Sequence, residues 1–228
     1  LKSKIQKPRK AVQDNGLKIL VYGASGVGKT TLCASTGDQP RTLILSAESG
    51  LLSIADADVD VLTVGSLADL REAHTMLRDG DHGYKWVCLD SLSEIAEAVL
   101  ADEHAATKDP RAAYGKMAEV MVKLVKSFRD LPMNVVMVCK GAARDDEGRM
   151  VWGPVLPGAK LAADLPFLFD ELFCLVAAVK DGEVRRMLRT AADGKYAAKD
   201  RSGRLDQWEA PDLAAIYKKI HGPRIAAV

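Results

Sequence analysis

The chain has 228 residues, 48% of them apolar, enough for one sizeable α/β core with little beyond it. Its 32 basic and 31 acidic residues nearly cancel, which excludes a wholly basic nucleic-acid coat but leaves room for local basic loops. No apolar run has the length of a membrane span, and no signal-peptide core is visible, so a cytoplasmic location without membrane contact is expected. Cys33, Cys88, Cys139 and Cys174 form no C-x-x-C pair, which speaks against zinc and for reduced, buried thiols.

In chain order, residues 1–16 carry Lys2, Lys4, Lys7, Arg9 and Lys10 around Pro8 with little periodicity. They read as a basic arm, either solvated or touching nucleic acid or a neighbouring subunit, ahead of a core domain over residues 17–228. Leu17-Lys18-Ile19-Leu20-Val21-Tyr22 is a β-rich segment, and Gly23-Ala24-Ser25-Gly26-Val27-Gly28-Lys29-Thr30 follows it directly. That octet fits G-x-x-x-x-G-K-S/T in the strand–loop–helix context the phosphate-binding loop requires. Glycines free the backbone to wrap a phosphate chain, and the loop N–H groups with the helix N-terminus favour an anion. Lys29 is expected to reach the β- and γ-phosphates, the Thr30 hydroxyl to ligate Mg²⁺, and Thr31, where the chain can continue as a helix, to join the nucleotide-binding residues. The cofactors expected are therefore ATP and Mg²⁺.

Residues 41–46 and 60–64 read as further strands, and 66–78 as a helix with Leu67, Leu70, Ala73 and Leu77 at helical spacing. Trp86-Val87-Cys88-Leu89-Asp90-Ser91 describes a buried strand ending in a carboxylate. About sixty residues after a P-loop, this is the Walker-B arrangement, with Asp90 on the metal. Ser91 and Glu94 make a capping box for a helical region to Leu131, interrupted near Pro110. Residues 134–139 form another strand, ending at Lys140, and 141–166 read as a long loop holding Arg144, Arg149, Trp152 and Lys160. Strands near 171–179 and 184–190 turn antiparallel, 195–199 reads as a further strand, and 210–220 as a closing helix. The fold class is α/β, a mostly parallel sheet with helices on both faces and a C-terminal antiparallel extension.

The residue after Asp90 is Ser91, so no glutamate follows the metal ligand and the catalytic base must come from elsewhere. Glu48, just past the second strand, is the candidate; a loop glutamate in solvent is the bland alternative. Lys199 and Arg201 alternate near a strand and are not needed beside Lys29, so they read either as a finger for a neighbouring subunit or as a charged turn.

Taken together, Gly23–Thr30, the strand leading to Glu48, the Asp90-Ser91 strand end and Lys199-x-Arg201 resemble the RecA-like P-loop ATPases. Within that class, Gly153-Pro154-Val155-Leu156-Pro157-Gly158 and Leu165–Glu171 are similar to the short phage recombinases of RecA-core type, the Sak-like single-strand annealing proteins. The resemblance implies an ATPase that binds single-stranded DNA and assembles into a ring or filament with ATP at subunit interfaces. A single-strand-binding protein is a further expected partner, and the compartment is a host cytoplasm if the chain is phage-encoded. It implies catalytic roles for Lys29, Glu48, Lys199 and Arg201, the last two in trans. It directs Lys108, Arg111 and Lys116, beside Tyr114, with Arg144, Arg149, Trp152 and Lys160, towards DNA, the tryptophan either as a stacking surface or packed under the loop. Two departures stand out: Cys139-Lys140 replaces the phosphate-sensing glutamine, and there is no length for the flanking domains of full-length RecA. Annealing or strand coating is thus expected over strand exchange. The competing expectation is a nucleotide-gated interaction module, such as a helicase loader; a small-molecule phosphotransferase is disfavoured for want of an arginine-rich lid.

Overall fold

In a computed structural model, residues 7, 10, 14–37, 41–48, 50–146, 148–180 and 182–223 are described. Most of the basic arm, including Lys2, Lys4 and Arg9, lies outside them. One sheet organises the molecule, in the order β10-β8-β7-β1-β5-β4-β2-β3. Here β1 is Lys18–Gly23, β2 Thr42–Ser46, β3 Asp60–Thr63, β4 Trp86–Asp90 and β5 Asn134–Asp146. The later strands are β6 Arg149–Val155, β7 Glu171–Lys180, β8 Glu183–Arg189, β9 Lys199–Asp200 and β10 Trp208–Glu209. From β3 to β7 every neighbouring pair is parallel, whereas β8 and β10 run antiparallel. The mostly parallel α/β sheet with an antiparallel extension is the one expected.

Parallel strands covered on both sides must be apolar on both sides, and β1, β2, β4 and the start of β5 are buried throughout. Alternate residues serve two cores. Ile19, Val21, Val136, Val138 and Phe173 pack with Leu32 of α1 (Lys29–Cys33) and Ile216 of α6 (Leu213–His221). Leu20, Tyr22, Val135 and Met137 face the other helices: α2 (Leu67–Asp79), α3 (Leu92–Ala106), α4 (Pro110–Arg129) and α5 (Ala159–Asp164). Helix starts follow local chemistry. Ser66 and Asp69 form a reciprocal capping box for α2, Asp109 caps α4 ahead of Pro110, and Asp212 caps α6. The last cap starts α6 at Leu213 rather than 210.

The main correction concerns residues 141–166, expected as loop. Strand β5 runs on to Asp146, turns at Gly148 (φ 82°) and returns as β6, with Asp145 Oδ1 accepting from the Gly148 N–H at 2.7 Å. Helix α5 and a 3₁₀ turn over Leu165–Leu168 follow. This hairpin projects past the end of β1, so both its faces are wet near the tip and no apolar alternation marks it as strand. The strand expected at 195–199 is likewise shifted. Tyr196 makes only a bridge to Trp152, and the ladder with β7 is confined to Lys199 and Asp200. Among the described residues no helix is long and apolar enough to cross a membrane.

Candidate active site

The strand order puts β5 between the P-loop strand β1 and the Asp90 strand β4, so the loop and the carboxylate approach across the C-terminal edge of the sheet. Glycine at position 23 is a packing requirement, since a Cβ there would stand 2.5 Å from the Leu175 carbonyl oxygen of β7. Gly28 takes φ 103° at the start of α1, a conformation that disfavours any side chain. Lys29 Nζ turns back over the loop to donate to the Gly23 and Ala24 carbonyls, at 3.1 and 2.9 Å. Helix α1 begins at Lys29 itself.

Thr30 Oγ1 donates to Asp90 Oδ2 at 2.6 Å. Asp90 is 2% exposed, and burial pushes its carboxyl above the ordinary range, opposed by the Thr30 hydroxyl and reinforced by the charge of Glu48. A buried carboxylate beside a hydroxyl is an oxygen donor pair suited to a hard divalent cation, which would hold the carboxylate ionised. The residues present thus fit Mg²⁺. The cavity they line, about 450 Å³ with Ser25, Gly26 and Thr31, has the size and the loop N–H groups for a nucleotide.

Glu48 is in the same cavity. Strands β2 and β4 are paired with Ser46 opposite Asp90, and the Ala47 N–H donates to the Asp90 carbonyl at 2.7 Å. That register carries Glu48 to Ser91, whose Oγ donates to Glu48 Oε1 at 2.5 Å. Ser91 also accepts from the Glu94 N–H at 3.4 Å, capping α3. The expected capping role of Glu94 takes a different form, because its carboxylate faces Lys140 Nζ at 2.6 Å. Glu97 adds a second contact at 2.8 Å, and these two acids raise the Lys140 ammonium above the usual lysine range.

The remaining expected residues lie elsewhere. Lys199 and Arg201 sit at the opposite end of the sheet from the loop, since β9 pairs with Glu171 and Leu172 and Glu171 stands beside Ile19 near the start of β1. They do not point alike. Lys199 Nζ donates to the Pro166 and Phe169 carbonyls at 2.7 and 2.6 Å, whereas Arg201 pairs with Asp170 at 3.0 Å. Lys108, Arg111, Lys116, Arg144, Arg149 and Lys160 are exposed. The turn before α5 meets the first half of α4, Gly158 standing against Tyr114 and Met117, which brings Lys160 near α4, while Arg144 and Arg149 stand on the hairpin. Trp152 is half-buried against the core, and its carbonyl accepts from Tyr22 Oη at 2.8 Å. The sequence reading missed Arg186 of β8, which reaches the loop and lines the cavity. A lone arginine on an antiparallel strand carries no motif that could have flagged it.

A family model described as an AAA domain matches residues 15–202. The chain belongs to the AAA domain family. The match spans the P-loop, Glu48, Asp90 and Arg201, and the sheet order above gives the chain a mostly parallel α/β P-loop fold. Among solved structures, a KaiC-like protein from the hyperthermophilic archaeon Pyrococcus horikoshii is 16% identical, over 75% of this chain and 76% of that one, with a TM-score of 0.47. No curated protein matches the chain.

Proposed function

We propose that the protein is a Mg²⁺-dependent ATPase that works on single-stranded DNA as a ring or filament of like subunits, as a recombinase or annealing protein. The observation that carries hydrolysis is the side-chain series Thr30–Asp90 and Ser91–Glu48 at two adjoining strand ends. Thr30 and Asp90 would hold the metal, while Lys29 and the loop N–H groups bind the phosphates. Bound Mg²⁺ supplies charge stabilisation at the phosphate oxygens. Ser91 occupies Oε1 of Glu48, so Oε2 is the atom that would take the proton from the attacking water.

Action in trans is supported by Arg201, which is exposed and turned away from its own loop. Lys199 is committed to two carbonyls, so the finger reduces to the arginine. Single-stranded DNA is supported by the exposed cations around α4 and α5 and on the β5–β6 hairpin, which leaves the sheet beside the loop: a Cβ on Gly141 would lie 2.8 Å from the Gly23 nitrogen.

A second reading, the nucleotide-gated interaction module, is favoured by the charge of the sequence run 144–149, in which three acids outnumber two arginines. ATP turnover measured with and without single-stranded DNA at one low salt concentration separates the two. Stimulation by DNA supports the recombinase, and an unchanged rate supports the module. Lys29→Ala abolishes hydrolysis under either reading; full activity in that variant would remove the P-loop assignment.

A further inference from the structure

The β7–β8 hairpin brings to the phosphate loop a cation that belongs to no sequence motif. Arg186 stands on β8 opposite Ala177. Its Nε donates to the Val27 carbonyl at 3.0 Å, and its Cδ and Nε pass 3.4 Å from where a Cβ on Gly28 would be. The side chain therefore crosses the loop at the residue just before Lys29, on the wall of the same cavity.

A guanidinium held only at Nε keeps its terminal amino groups as a fixed fork of donors. Among the described residues no acceptor takes them. The one acidic residue near it on the strand, Glu183, faces Arg185 at 4.0 Å. Pinning a backbone carbonyl needs only a neutral donor, so the charge has no use in that contact. The carboxylates of the cavity, Asp90 and Glu48, are bonded to Thr30 and Ser91. A preorganised cationic fork beside a loop whose N–H groups already favour anions is built for phosphate oxygens.

We propose that Arg186 is a phosphate contact supplied in cis, gripping the phosphate chain of the bound nucleotide from the β8 side while Lys29 holds it from within the loop. This rests on the reading of Gly23–Thr30 as a nucleoside-triphosphate site. It makes the β7–β8 hairpin part of the binding site and gives each subunit two cations of its own, distinct from any arginine offered by a neighbour.

The test uses the full chain with Arg186→Gln, which retains an N–H donor for the Val27 carbonyl and loses the charge, and Arg186→Lys, which retains the charge. Calorimetric titration with Mg-ATP and with inorganic tripolyphosphate is read beside the ligand-free melting temperature. Arg186→Gln is expected to weaken both ligands about ten- to a hundredfold, with Arg186→Lys losing less and neither ligand-free melting temperature falling. Binding of both ligands by Arg186→Gln at unaltered affinity overturns the proposal. So does a lowered melting temperature with tripolyphosphate affinity intact, which would make Arg186 a pin for the loop. If the unaltered protein itself binds neither ligand, the P-loop reading fails first, and the variants are not needed to see it.

Discussion

The hydroxyl of Ser91 donates to Glu48 Oε1 at 2.5 Å, tying the residue after the Asp90 strand to the carboxylate beyond the neighbouring strand. On the proposed mechanism Ser91 is therefore a positioning residue, holding Glu48 as the base where it would otherwise swing on a loop. Ser91→Ala should lower kcat about tenfold or more with little change in ATP affinity, and Ser91→Thr should restore most of it. Lost capping of α3 costs about 1 kcal/mol, which a melting curve reads separately. Glu48→Gln should bind ATP normally and lose about a hundredfold or more in turnover. Equal effects on binding and turnover would mean that neither residue orients water.

Lys199 and Arg201 should separate cleanly. Lys199→Met leaves the Pro166 and Phe169 carbonyls without their donor and should cost about 1–3 kcal/mol of stability in denaturant unfolding. Arg201→Ala breaks one exposed ion pair with Asp170, worth under about 1 kcal/mol. Its effect should instead appear as loss of concentration-dependent turnover, with nucleotide binding by each subunit retained. Turnover that survives this change rules out the finger.

If Lys108 and Arg111 contact phosphates, the double alanine variant should flatten the plot of log K against log salt for single-stranded DNA by about 1.4. Arg144 with Arg149 should do the same from the hairpin. A weaker affinity at unchanged slope would mean that these side chains do not neutralise backbone charge.

Glu171 is fully buried at the start of β7, and neither of its carboxylate oxygens has a hydrogen-bond partner among the described residues. Burial, helped by the neighbouring Asp200 and Asp170, pushes its pKa up to about 8 from the ordinary 4.5. Between those values the folded state holds a proton that the unfolded state releases, so stability falls as pH rises through the window. The loss amounts to roughly a few kcal/mol. Glu171→Gln should flatten the stability profile between these limits in denaturant unfolding, and an unaltered slope would assign the pH dependence to other groups.

The phosphate loop was legible because its strand, turn and helix are contiguous, and each residue type answers a local need. Asp90 was legible because a buried strand ending in a carboxylate is also a local pattern. The β5–β6 hairpin was not. Past the sheet edge both of its faces meet water, so Arg144, Asp145 and Arg149 read as loop although their backbone is paired. Lys199 and Arg201 looked alike in sequence, yet a turn after Asp200 sends one to backbone carbonyls and the other to Asp170.

By itself the sequence determined the P-loop pattern, a buried strand ending in the Asp90 carboxylate, the α/β class and the absence of a glutamate after Asp90. Tertiary structure alone decided what holds Glu48 and what else reaches the phosphate loop. The pairing of β2 with β4 sets Glu48 against Ser91, and the pairing of β8 with β7 lays Arg186 across Val27. Such contacts join residues 43 and 159 positions apart through strand order and register, which no local window of sequence contains.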